Sequence, residues 1–178
     1  MNIVLIGYRC SGKTAVGEIL ATELGMDFLD TDILIEERVC CSIEALVSLK
    51  GWDHFREIEK GLVQEVSMRD NLVIATGGGV AMDEGNVTNL KKNSWIVWLN
   101  GRSEVLKERM GKEKRSGKSR PSLTGADPLE EIEQVLSNRN PLYDQAGDLM
   151  VDTSDLSVPE AAALIIKTIK SQSDFIMR

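Results

Sequence analysis

Histidine occurs once in these 178 residues, and none of the three cysteines stands in a CxxC pair. That leaves neither a CxxC pair nor a His pair at metal-ligand spacing. It also leaves a single imidazole, His54, as candidate base, with no Ser/His/Asp set around it in the sequence. Three cysteines cannot form a disulfide framework, so a reducing compartment is expected. Aromatic residues make up only 4%, too few for a platform that stacks single-stranded nucleic acid. No apolar run approaches the roughly 20 residues of a membrane span. The run Ile3–Ile6 before Gly7 is too short for a secretion signal. A soluble, cytoplasmic, monomeric protein with no nucleic-acid or membrane partner is expected.

What is present is ordinary for a globular chain: 42% hydrophobic, 28% charged, 15 Gly and 4 Pro. The length suits one domain spanning residues 1–178, large enough to bury roughly 70% of its unfolded surface. The net charge of −7 is uneven. Residues 102–120 hold eight bases and three acids, leaving 13 bases and 25 acids elsewhere. Such a segment is either a solvated charged helix or part of a local site for a small polyanion.

Strand-like and helix-like segments alternate. Short apolar runs at Asn2–Ile6, Asp27–Asp30, Leu72–Ala75, Trp95–Leu99 and Leu149–Val151 read as buried strands. Helical spacing appears at Lys13–Leu24, Ile33–Val39, Ile43–Leu49, Trp52–Met68, Ser103–Met110 and Val158–Ile169, and in part at Leu129–Leu142. Breaks are expected near Cys41-Ser42 and at Gly51. Gly111–Ser122 has no apolar periodicity and predicts a mobile loop, with a lid over about 111–123. The alternation predicts an α/β protein with a parallel sheet covered on both faces.

Gly7-Tyr8-Arg9-Cys10-Ser11-Gly12-Lys13-Thr14 fits G-x-x-x-x-G-K-[ST], between a predicted strand and a predicted helix. Its glycines allow backbone N–H groups to wrap a phosphate, and the helix N-terminus adds partial positive charge. Lys13 then reaches the β- and γ-phosphates, and the Thr14 hydroxyl can hold Mg2+. Asp30 and Asp32 end the second strand, where alternation lets them project together. They serve either a cation and a substrate hydroxyl, or, for Asp32, the cap of the following helix. Gly77-Gly78-Gly79 follows the third strand and is either a surface for close ligand approach or a flexible turn. Arg56, with Glu59 three residues on, is either a positioned cation or a surface ion pair. Arg120, within the predicted lid, and Arg139 supply two more guanidinium groups, suited to phosphoryl charge and to carboxylates.

These pieces, in this order and together with Arg120-Pro121, Pro141-Leu142-Tyr143 and Val151-Asp152-Thr153, resemble shikimate kinase within the nucleoside-monophosphate-kinase-like P-loop proteins. The resemblance runs from residue 2 to about 170. It implies a three-layer P-loop fold with a five-stranded parallel sheet, a helical substrate-binding region at about 33–62, and transfer of the ATP γ-phosphate to the 3-hydroxyl of shikimate. It implies that Asp32 binds the acceptor and orients or deprotonates its hydroxyl, and that Thr14 and Asp30 serve Mg2+. Arg56, Arg139 and the Gly77–Gly79 backbone would hold shikimate. Lys13 and Arg120 would stabilise the transferred group. Gly7, Cys10, Ser11, Gly12, Lys13, Thr14, Ala15, Arg109 and Arg120 would contact ATP, with Arg109 stacked on adenine and the stretch after Thr153 on its other side.

The chain departs from the family at Cys10, where glycine is usual, and at Ser122, where leucine is common. Cys10 is either an inert small residue or a thiol with thiolate character, given Lys13 and a helix N-terminus nearby. A gluconate-type hydroxy-acid kinase and a nucleotide-binding regulatory module are the competing readings. The first is disfavoured by Asp30-Thr31-Asp32 with Arg56 and the triple glycine, the second by the joint presence of Asp32, Arg56 and Arg139. No NKxD-type guanine motif occurs, so Asp144-Gln145-Ala146-Gly147 is read as a chance match to D-x-x-G.

Overall fold

The computed structural model describes residues 1–115, 127 and 130–176. Five strands form one sheet: β1 (Asn2–Ile6), β2 (Asp27–Asp30), β3 (Leu72–Ala75), β4 (Ser94–Asn100) and β5 (Leu149–Asp152). The spatial order is β2-β3-β1-β4-β5, and every pairing is parallel. β1 lies at the centre, with Ile3 opposite Val73 on one side and Trp95 on the other.

The period-2 alternation of β1 divides the core. Val4 and Ile6 face a cluster with Leu62, Val66, Ile74 and Ile96. Ile3 and Leu5 face a second cluster with Val16, Leu20, Ala162 and Ile165. Helices α2 (Thr31–Val39), α3 (Ile43–Ser67), α4 (Glu84–Lys91) and α6 (Ile132–Ala146) contribute to the first layer. Helices α1 (Lys13–Leu24) and α7 (Val158–Ile176) contribute to the second. A third cluster packs Tyr8 against Leu106 and Met110 of α5 (Ser103–Arg115) and Ile132, Val135 and Leu136 of α6.

At the N-terminal ends of the strands, Asn2 is fully buried. Its amide donates to the Arg69 carbonyl at 2.9 Å and accepts from Leu72 N at 3.0 Å. Asn2 N donates to Asn93 O at 2.8 Å, and Asn93 Nδ2 reaches Arg69 O at 3.2 Å. This network closes the lower edge of the sheet.

Helix ends follow local chemistry. Gly25 caps α1 in the left-handed region, and Ser42 Oγ caps α3 by accepting from Ala45 N at 3.1 Å. The expected break at Gly51 is present as a kink inside α3, where the backbone is non-helical (φ 82°, ψ 169°) between the stretches expected as separate helices. The helix over Glu84–Lys91 has no counterpart in the sequence-based expectations. It is rich in Gly, Asn and Thr, which favour turns. Asp83 holds it by accepting from Asn86 N at 2.9 Å, and Leu90 anchors it in the core.

α5 runs five residues past Met110, through Gly111 to Arg115, into the stretch expected to be a loop. An i,i+4 pair between Glu108 and Lys112, at 2.7 Å, spans the extension. α6 begins at Ile132 and extends past Pro141, held by the buried Tyr143. Most of the segment expected to be a lid lies outside the described residues, Arg120 included. Among the described residues, no helix is long and apolar enough to cross a membrane.

Gly7 leaves β1 with φ 139°, and a Cβ there would stand 2.3 Å from the Leu99 carbonyl oxygen. Torsion and backbone contact both require glycine. Gly7→Ala is expected to lower stability by about 2–3 kcal/mol. Urea denaturation checks this, and a change below about 0.5 kcal/mol would show that the loop relaxes freely.

Candidate active site

The order β3-β1-β4 reverses the direction of winding at β1, and such switch points open a crevice at the C-terminal strand ends. A cavity of about 410 Å³ lies there. Its wall includes Cys10, Gly12, Lys13, Thr14 and Ala15 from the loop after β1 and the start of α1. Gly7 and Ser11 are buried and do not line it. Lys13 Nζ donates to the carbonyls of Gly7 at 2.9 Å and Tyr8 at 2.8 Å. The ammonium is thereby held over the loop whose backbone it closes.

Asp30 joins two elements to this loop. Its Oδ2 accepts from Thr14 Oγ1 at 2.8 Å. Its Oδ1 accepts from Asp32 N at 2.9 Å and Ile33 N at 3.4 Å, capping α2. The cap of this helix is therefore Asp30, and Asp32 sits in its first turn. The helix starts at Thr31, two residues before the sequence-based start at Ile33, so strand alternation is not what brings the two carboxylates to the cavity. Both nevertheless line it.

The loop after β3 forms the floor. Its glycines have no positive φ; the two outer ones, Gly77 and Gly79, are needed for space. A Cβ on Gly77 would lie 2.7 Å from Asp32 Oδ1 and 2.8 Å from Glu59 Oε1. One on Gly79 would lie 2.2 Å from the Arg56 guanidinium. The backbone is anchored by Gly77 N donating to the buried Thr31 hydroxyl at 2.9 Å. The Gly78 carbonyl accepts from Arg139 Nη1 at 3.0 Å and from Tyr143 OH at 2.5 Å. Burial pushes the Tyr143 phenol up to about 12, so it stays a donor.

Arg56 is not in a surface ion pair. Its Nη1 donates to Glu59 Oε2 at 2.5 Å, and the Glu59 side chain is 1% exposed. The guanidinium also lies 5.4 Å from the Trp52 ring centroid and 5.1 Å from that of Phe55. Burial raises the Glu59 carboxyl above the usual range, and the Arg56 charge opposes this. Glu59, Trp52 and Phe55 were not among the expected site residues. The i,i+3 spacing of Arg56 and Glu59 was visible, but its burial depends on the β3 loop folding over it.

Arg109 lies on the opposite wall. Its Nη2 donates to Thr153 O at 2.6 Å, and its Nη1 contacts Thr153 Oγ1 at 3.1 Å and Cys10 O at 3.4 Å. It therefore joins α5, the loop after β1 and the end of β5. The other bases of the segment 102–120 divide between roles. Arg102 pairs with Asp155 and Lys107 with Glu133, both at the surface, whereas Lys112 lines the cavity. Arg9, Lys112 and Glu113 were also missed on the wall. In all, six bases and four acids line it, a cationic surface in an acidic protein that suits polyanions.

Cys10 corrects one expectation. It adopts a left-handed φ of 62°, where glycine is favoured and another residue costs about 1 kcal/mol. Its thiol donates to Glu113 Oε2 at 3.2 Å. Burial, then the bond to this carboxylate and its charge, push the thiol up to about 12, against Lys13 and Arg9. The thiolate reading therefore fails: desolvation outweighs the nearby cations.

Comparison with known proteins agrees with this geometry. The family model described as shikimate kinase matches residues 9–170. A shikimate kinase from Syntrophus aciditrophicus is 37% identical, covering 96% of this chain and 92% of that protein. One from Thermoanaerobacter pseudethanolicus is 38% identical, covering 93% of this chain and 94% of that protein. Among solved structures, shikimate kinase from Acinetobacter baumannii in complex with shikimate superposes with a TM-score of 0.88 at 32% identity, over 96% of this chain and 93% of that one.

The thiol environments give a direct test. At pH 8 a disulfide reagent is expected to modify the exposed Cys40 and Cys41 quickly and Cys10 slowly. Peptide mapping of the fast fraction checks the assignment, and Cys10 among the fast sites would contradict it.

Proposed function

We propose that in this chain, which belongs to the shikimate kinase family and has shikimate kinase activity, the cavity at the C-terminal strand ends takes Mg2+-ATP on the Gly7–Ala15 side and shikimate on the Asp32, Arg56 and Arg139 side. The observation that carries this division is the meeting, in one crevice, of a phosphate-binding loop with two guanidinium groups set around a glycine floor. Loop N–H groups and the N-terminus of α1 suit the polyphosphate. Arg56 and Arg139 suit a carboxylate, which shikimate carries and a simple alcohol lacks.

Asp32 stands at the junction. In this reading its carboxylate accepts a hydrogen bond from the 3-hydroxyl, aims its oxygen at the γ-phosphorus and takes the proton as the new P–O bond forms. The bond between the γ-phosphorus and the bridging oxygen breaks, leaving ADP and shikimate 3-phosphate. Lys13 leaves the Gly7 and Tyr8 carbonyls for the β- and γ-phosphates and stabilises their charge. Arg109 flanks the adenine, tied to Thr153 at the end of β5.

The residues fit Mg2+. Thr14 Oγ1 and Asp30 Oδ2 are hard oxygen donors 2.8 Å apart, and this ion binds by one or two protein oxygens, phosphates and waters. When bound, Mg2+ neutralises phosphate charge and fixes its geometry. Asp30 keeps one oxygen on the α2 backbone, so the other is held in place.

We assign the helical segment 33–62 to acceptor binding and 111–123 to a lid that excludes water, with Arg120 as its cation; Arg120 lies outside the described residues. The whole chain acts as one domain and a monomer. Three free thiols suit the cytoplasm.

Coupled ADP release with Mg2+-ATP tests the assignment, with shikimate as acceptor and gluconate as control. Turnover is expected with shikimate alone; ATP consumption indifferent to both acids would remove the acceptor assignment. Asp32→Asn is expected to lower turnover by about a hundredfold or more while ATP still binds. Near-normal turnover would take Asp32 out of the catalytic role. Arg139→Ala is expected to raise the shikimate KM about tenfold or more and the ATP KM by less than about threefold. Equal effects on both substrates would contradict the carboxylate role.

A further inference from the structure

The last turns of α5 carry Arg109, Lys112 and Glu113 onto the cavity wall. Arg109 and Glu113 are four residues apart, neighbours on one helix face. Both reach the same residue of the loop after β1: Arg109 donates to the Cys10 carbonyl at 3.4 Å, and Glu113 accepts from the Cys10 thiol at 3.2 Å. A carboxylate from α5 is thus held against the middle of a loop built to attract anions. Lys112, beside it in sequence, pairs with Glu108 at 2.7 Å.

We infer that Glu113 sets nucleotide affinity as an internal competitor: while it contacts Cys10 it places a negative charge at the phosphate loop, and ATP binds as that contact opens. The inference rests on the reading of this loop as the ATP site. Its logic is population shift: a ligand that binds only the open form has its apparent affinity reduced by the open fraction. One feature supports a contact that can open: the Cys10 that makes it adopts a strained left-handed φ. The half-buried, protonated thiol is a donor, so the bond forms to the ionised carboxylate. Arg109 remains tied to Thr153, so the end of α5 can release Glu113 without leaving the site.

Glu113→Gln keeps an acceptor for the thiol and removes the charge; Glu113→Ala removes both. Binding of ATP, ADP and adenosine to the purified full-length protein, without acceptor, is measured by titration calorimetry. Both variants are expected to bind ATP tighter than wild type by on the order of threefold to tenfold, ADP by less, and adenosine equally. The gain is expected to shrink in 1 M salt, where screening acts over about 3 Å. A merely structural role for Glu113 would move adenosine with ATP and would not depend on salt in this way. An equal gain for adenosine, or unchanged ATP affinity in both variants, overturns the inference. A wild-type chain that binds no ATP overturns the nucleotide reading itself, and the inference with it.

Discussion

Lack of room above the β3 loop governs the site. Three side chains from two helices press against the two outer glycines of Gly77–Gly79: Asp32 from α2, and Arg56 and Glu59 from α3. Arg139 and Tyr143 from α6 grip the middle carbonyl, and Thr31 holds the first N–H. No torsion demands glycine here; a methyl added at Gly77 or Gly79 would collide with a charged group. The loop therefore acts as a common template. It sets the distance between the acidic and basic members of the side proposed for the acceptor, and it does so with backbone, which cannot change rotamer.

Charge is distributed to the same end. A protein of net −7 presents six bases and four acids around its cavity. The acids are not random dilution. Glu59 is paired with Arg56, and Asp30 is committed to the α2 backbone and Thr14. Each fixes a partner in place, which suits phosphoryl transfer, where positioning and electrostatics contribute most of the rate. The acidic remainder of the surface leaves this crevice as the place where a small polyanion is attracted.

Much of this was legible in the residues. Short apolar strands ended by Gly or Asp, and the loop Gly7–Thr14 between strand and helix, are local patterns with local causes. The sheet and the P-loop followed from them. What was not legible depends on distant contacts or on boundaries one or two residues wide. Asp30 rather than Asp32 caps α2 because the helix starts at Thr31, before its apolar periodicity. α4 is made of weak helix formers and survives by its cap and Leu90. Glu59 looked like a surface partner because sequence spacing carries no information on burial. Cys10 stayed open between an inert residue and an activated thiol because the cations near it are close in sequence, whereas the carboxylate that opposes them comes from α5.

The buried Asn2 network lies at the far edge of the sheet from every group that meets a substrate. It ties the first residue of β1 to the segments that enter β3 and β4, so strand register is settled before the chain reaches the crevice. Fold maintenance and chemistry thus occupy opposite poles of one short strand, five residues long. The upper pole carries the crevice on loops, one of them with a non-glycine residue at left-handed φ, while the lower pole keeps the strands aligned.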